Sequence, residues 1–219
     1  MDVARDVTIE SVCHLIEAAV RGSQGTTVVA IAGHSAGGKT HTAHRIKEWF
    51  AGDCVLVPQD DLILPEEERR TGALFEKFPI QPLSAIVDQL VGGRATIMPT
   101  FDQSLRRRGP ARVVRTARLI VVEGVLVLHS TLVRRRAALS FFVTSPADVR
   151  LERQLTRAEV EGRYPDLTPE QRRARFAAKA VSEDFHVSRQ TSFCDWLLDT
   201  SEGTLAPLPR RGQARRSAA

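Results

Sequence analysis

Val28-Val29-Ala30-Ile31-Ala32-Gly33-His34-Ser35-Ala36-Gly37-Gly38-Lys39-Thr40 is an apolar run that breaks into three glycines and ends on a lysine and a threonine. Gly33 to Thr40 fits the pattern GxxxxGK[ST] without a gap. The setting fits as well, because Thr26 to Ala32 reads as a buried strand and Thr40 to Ala51 as a helix. Each residue type has a physical reason. Gly33, Gly37 and Gly38 let backbone N–H groups curl around phosphate oxygens where a side chain would collide. His34, Ser35 and Ala36 belong to the same cradle, the histidine through its backbone more than its ring. The helix that starts here adds the positive end of its dipole. Lys39 is expected to bridge the β- and γ-phosphates, and the Thr40 hydroxyl to ligate Mg²⁺. The stretch thus predicts ATP as the bound nucleotide and Mg²⁺ as the metal.

Outward from the loop, the chain alternates helices and strands. Thr8 to Arg21 carries Val12, Leu15, Ile16 and Ala19 at helical spacing, and Gly22 stops it. Asp53 to Val57, Arg118 to Val122 and Leu139 to Val143 read as further core strands, with Trp196 to Leu198 as a last one and Ala95 to Met98 as a short one. Leu83 to Val91 is a helix closed by Gly92-Gly93. Pro146 opens a long arginine-rich helix to about Glu161, Pro165 to Pro169 interrupts it, and Glu170 to Val187 is helical again. Strands alternating with helices predict an α/β fold: three layers of the P-loop NTPase type, a parallel sheet of about five strands, and an arginine-rich helical lid. The ligand site of such a sheet lies at the carboxyl edge of its strands. Two acidic positions fall at that edge: Asp60-Asp61 after Val55-Leu56-Val57-Pro58, and Glu123 after Arg118-Leu119-Ile120-Val121-Val122.

Together these segments resemble the uridine kinase-like family of P-loop kinases, which includes uridine-cytidine, nicotinamide riboside, phosphoribulo- and type I pantothenate kinases. The resemblance runs from about Val28 to Asp199. GHSAGGKT is similar to the family's GxSxSGKT loop, VPQDDLILP to its aspartate-bearing strand end, MPTFDQSLRRR to its P-x-Y-D segment, LIVVEGVLVLHS to its strand ending Glu-Gly, and FFVTSPADVRLERQLTR to its strand and lid helix. The resemblance implies that Asp60 orients and deprotonates the acceptor hydroxyl, that Thr40 and Glu123 sit at the Mg²⁺, and that Arg150, Arg153 and Arg157 line the lid. Those three arginines fall at i, i+3 and i+7, on one helical face. It further implies an acceptor site touching Asp60, Asp61, Glu76, Phe101, Asp102, Arg106 and Arg108. Here the chain departs from the pattern. Leu62-Ile63 stand where uridine-cytidine kinases carry an aromatic pair, FEKFP offers Glu76 in an FDHP-like place, and Phe101, Gln103 and Arg106 replace a tyrosine, an aromatic and a histidine. A nucleoside-like acceptor and an acidic or sugar-like alcohol both remain open, as does a P-loop NTPase switch without a small acceptor.

Composition bounds the rest. At 219 residues and 42% hydrophobic content the chain suits one kinase domain, expected over 1–205 with its lid at about 150–170. Cys13, Cys54 and Cys194 are far apart and odd in number, which argues against a disulfide framework or a zinc site. The amino terminus has no signal-peptide pattern and no apolar run approaches ~18 residues, so a cytoplasmic protein with no membrane contact is expected. The formal charge is +5, much of it in residues 206–219, expected to be a disordered basic tail without a specific nucleic-acid partner. Arg134-Arg135-Arg136 reads as solvated surface between helical stretches. Whether the chain pairs as a homodimer is left open.

Overall fold

The computed structural model describes residues 3–71 and 73–209, with side chains from residue 8 onward. Helices are α1 Val3–Gly22, α2 Lys39–Trp49, α3 Leu74–Lys77, α4 Ile80–Val91, α5 Thr131–Arg136, α6 Ala147–Val160 and α7 Pro169–Ser188. Strands are β1 Thr27–Gly33, β2 Cys54–Pro58, β3 Thr96–Asp102, β4 Arg107–Val114, β5 Leu119–Gly124, β6 Ala137–Thr144, β7 Trp196–Asp199 and β8 Thr204–Pro207.

The main sheet runs β2-β5-β1-β6-β7-β8, with β1 between β5 and β6. The first five of these strands are parallel, and β8 closes the edge antiparallel to β7. Every residue of β1 and β5 is buried, as required of strands covered on both faces. The alternation of side chains divides the core in two. Val28, Ala30 and Ala32 face Leu83, Ile86, Val87 and Leu90 of α4. Val29 and Ile31 face Val12 and Ile16 of α1 and Ala43 and Ile46 of α2. This is the expected three-layer α/β architecture. Among the described residues no helix is long and apolar enough to cross a membrane, and the three cysteines are free and buried.

Several elements differ from the sequence expectation. The short strand at Ala95 to Met98 extends through Asp102 and leaves the main sheet, pairing with β4 as a separate antiparallel hairpin. Strand β4 was not foreseen, because its polar, largely exposed residues Arg107 to Arg112 carry little apolar pattern. Arg134 to Arg136 form the last turn of α5 and lead directly into β6. Arg134 is more than solvated surface: it donates to the Leu128 carbonyl and lies 4.6 Å from the Phe193 ring centre. Ala206 and Pro207, expected to open the tail, belong to β8, and residues 210–219 lie outside the described residues.

Phe141 is the largest fully buried side chain, packed in the layer beneath α1 and α2. Phe141→Ala is expected to lower the unfolding free energy by about 3–5 kcal/mol, the scale for deleting a buried phenylalanine, read from urea denaturation with the m-value unchanged.

Candidate active site

The end of β1 sets the site. Gly33 pairs with Val143 of β6, and a Cβ on Gly33 would fall 1.9 Å from the Val143 carbonyl oxygen at a φ of +147°. Only glycine permits that approach. The chain then turns through Ala36, at a φ of +59°, and Gly38, at +103°, before α2 begins at Lys39. Above Gly38 lies Thr200, whose hydroxyl donates to the Gly37 carbonyl at 2.9 Å.

Four of the expected residues converge at this edge. The Lys39 ammonium donates to the His34 carbonyl at 2.8 Å. The Thr40 hydroxyl donates to a Glu123 carboxylate oxygen at 3.0 Å. Glu123 is 3% exposed, and burial together with the charge of Asp60 raises its pKa. Burial lowers the Lys39 pKa, against which Glu123, Asp60 and Glu183 act. Asp60 sits in the 3-10 turn that directly follows β2, Gln59–Leu62. A hydroxyl beside a buried carboxylate, with a second carboxylate close by, is the donor set suited to Mg²⁺, which takes few protein ligands and completes its shell with phosphates and water.

The arginine-rich face does not act as one unit. Arg153 Nη1 donates to the Ala36 carbonyl, the Ser145 hydroxyl and the Thr200 hydroxyl at 3.1–3.3 Å, and so ties α6 to the glycine loop. Arg150 feels the charges of Asp184 and Glu183 of α7 and does not line the cavity. Arg157 does line it, next to Glu161. Helix α7 supplies contacts that the sequence did not announce. Glu183, 4% exposed, accepts from the Ser35 hydroxyl at 2.8 Å, and Lys179 lies 3.7 Å from the same carboxylate. His34 Nε2 is 3.0 Å from Asp184 and 3.2 Å from the Ser188 hydroxyl. No local pattern could reveal these pairs, which join residues some 150 positions apart in the chain.

Ser35, Lys39, Thr40, Glu123, Arg157 and Glu183 border one cavity of about 1200 Å³. Its far side is the expected acceptor region, built by the turn after β2, α3, and the β3–β4 hairpin. Asp60, Phe101 and Arg106 line it, together with Ile63, Phe78 and Gln103. The other expected contacts are engaged elsewhere. Asp61 accepts from Arg112 at 3.1 Å. Glu76 accepts from the amides of Arg70 and Thr71 and so holds the preceding loop. Asp102 caps the hairpin turn through the amides of Ser104 and Leu105. Arg108 forms a two-pronged pair with Glu68 at 2.9 and 3.1 Å. Arg106 pairs with Glu66 and lies 5.4 Å from the ring centre of Tyr164, which joins the hairpin to the segment after α6. FEKFP presents Lys77 and Phe78 to the cavity rather than Glu76.

A glycine-rich loop at the carboxyl end of a central parallel strand, followed by a lysine, a hydroxyl and two strand-end carboxylates, defines a P-loop nucleotide-binding protein. The comparisons narrow this class. A uridine kinase of Chloroflexus aurantiacus is 31% identical over 154 residues, which cover 66% of this chain and 74% of that protein. The chain belongs to the uridine kinase-like family of P-loop kinases. Two solved structures share the fold. One, from Silicibacter sp., assigned as a fructose transport system kinase, superposes with a TM-score of 0.68 at 18% identity, over 92% of this chain and 96% of its own. The other, from Bacillus stearothermophilus, assigned as a uridine kinase, gives 0.56 at 21% identity, over 71% and 89%. No protein-family model matches the sequence.

Burial and the neighbouring Arg150 push the His34 pKa down to about 4, in spite of Asp184. At neutral pH the ring is therefore uncharged and donates its Nε2–H to the Asp184 carboxylate. The unfolded chain, with His34 near its ordinary value, binds the proton more readily, so folding loses stability as pH falls from about 6.5 to 4. Urea unfolding of His34→Asn is expected to lose less stability than the wild type across that window and to match its slope above pH 7.

Proposed function

We propose that the protein transfers the γ-phosphoryl group of ATP to a hydroxyl of a small molecule, a nucleoside-like alcohol in the family pattern or an acidic or sugar-like one. The convergence of Lys39, Thr40, Glu123 and Asp60 at one strand edge supports this reading best. The loop amides from Gly33 to Thr40 and the Lys39 ammonium hold the nucleotide phosphates. Thr40 and Glu123 would hold Mg²⁺, which supplies charge neutralisation at the phosphates. Asp60 accepts the proton of the acceptor hydroxyl. The acceptor oxygen forms its bond to the γ-phosphorus as the bond to the bridging oxygen breaks, and ADP leaves with the electron pair. Arg157, with Arg163 and Arg175 from the segments flanking the cavity, faces the transferred group and stabilises its charge. Arg153 fixes the loop that these groups act on.

A switch that hydrolyses ATP without a small acceptor has no need of the acceptor cavity beside Asp60. ADP release that rises above the water background with added alcohols separates the two.

Lys39→Ala is expected to abolish transfer while the far-ultraviolet spectrum and melting curve stay near wild type. Asp60→Asn is expected to lower kcat about 10²-fold or more, as for a positioned base, with ATP affinity kept. Asp61→Asn should be milder, since Asp61 faces Arg112 rather than the cavity.

The segment from Arg153 to Thr168 has Ala158 as its buried α6 residue and little apolar packing. Closing over nucleotide would exclude water from the reaction. Amide hydrogen exchange is expected to slow there on adding Mg·ATP, and equal protection with and without nucleotide removes the lid from the mechanism.

A further inference from the structure

Lys77, Arg69 and Arg106 are cations on the acceptor side of the cavity that the kinase chemistry does not use, and of these Arg69 donates to the Leu64 carbonyl and Arg106 pairs with Glu66. Lys77 ends the short helix α3 and lines the cavity with Asp60, Ile63 and Phe78. Its ammonium makes no hydrogen bond or ion pair among the described residues, and its recorded neighbour is the Phe78 ring at 4.8 Å. Asp60 and Glu183 act on it electrostatically from beyond ion-pair distance, and so do two further cations, Lys179 and Arg69. The carboxylates have other work. Glu183 is held by Ser35 and Lys179, and Asp60 serves the hydroxyl. Nor does Arg106 compete for a ligand, since its guanidinium is matched by Glu66 and covered by Tyr164.

A desolvated ammonium without an anion is costly. Lys77 is half-buried, and burial, with Lys179 adding to it, pushes its pKa down to about 8. The carbonyls and hydroxyls of a neutral acceptor would leave that charge uncompensated. An oxyanion would compensate it, and would gain a charge-assisted hydrogen bond in a partly dry site.

We propose, resting on the kinase reading above, that the acceptor is an alcohol bearing an oxyanion, a carboxylate or a phosphate, and that Lys77 binds that group while Asp60 faces the hydroxyl. Lys77 is then the residue that sets acceptor specificity, and the bonds made and broken in transfer are those already given. The competing role for Lys77, a counter-charge that merely steadies Asp60, would affect every acceptor alike.

The test uses the full chain saturated with Mg·AMPPNP, so that the phosphate loop is filled and cannot capture the probes. Binding of glycerol, uridine, glycerate and glycerol phosphate is measured by calorimetry, and transfer from ATP is measured with the same four. The anionic alcohols are expected to bind more tightly than glycerol and uridine by about 10- to 100-fold, the scale of a hydrogen bond to a charged group. Lys77→Met is expected to erase that preference and Lys77→Arg to keep part of it. Glycerate against glycerol phosphate tells which oxyanion fits. Uridine or glycerol binding as tightly as the anions overturns the proposal, and so does Lys77→Met weakening neutral and anionic alcohols equally. The two readings fail separately. Lys77-dependent binding of anionic alcohols without phosphorylated product removes the kinase reading and leaves the subsite. Transfer to neutral alcohols without anion preference does the reverse.

Discussion

The site depends on the close approach of two strands at Gly33. The Val143 carbonyl occupies the space a Cβ would need there, so β1 and β6 stay in contact up to the residue where the chain must turn. That contact lets the glycine loop leave the sheet at its centre, between β5 and β6, rather than at an edge. Glu123 reaches Thr40 because β5 pairs in register with β1 up to Gly124 opposite Ala32. Asp60 arrives one strand further out, carried by β2 on the other side of β5. Three side chains far apart in sequence are thus brought together by parallel register alone, with a buried carboxylate as the result.

What was legible in the sequence follows the range of the interactions. The strand, glycine loop and helix from Val28 to Thr40 are determined locally, and the all-apolar runs at β1, β5 and β6 announce a sheet covered on both faces. Those three runs, with Asp53 to Val57 and Trp196 to Leu198, account for the five parallel strands. The hairpin strand β4 escaped because its residues are mostly polar and exposed, and because its turn is held by Asp102 accepting from Ser104 and Leu105 rather than by a glycine signal. Strand β8 is four residues long and pairs only with β7.

The acceptor region was the least legible part, for a geometric reason. On a helix, neighbouring residues point about 100° apart. Glu76 turns back to the amides of Arg70 and Thr71, and Lys77 takes the cavity. A one-residue shift on a four-residue helix therefore changes the sign of the charge a substrate meets. In the same way Arg106 and Arg108 looked available in a linear reading, but Glu66 and Glu68 from the turn after Pro65 already answer them.

Helix α7 touches the glycine loop through Asp184 on His34 and Glu183 on Ser35. Whatever the phosphates do to the loop is then felt by α7, and by linkage a shift of α7 must change nucleotide affinity by the same free energy. The exposed far face of that helix, where Val181 and Phe185 stand in solvent, is accordingly a handle on the nucleotide site. A contact made there changes how tightly the loop holds its ligand only to the extent that it displaces α7.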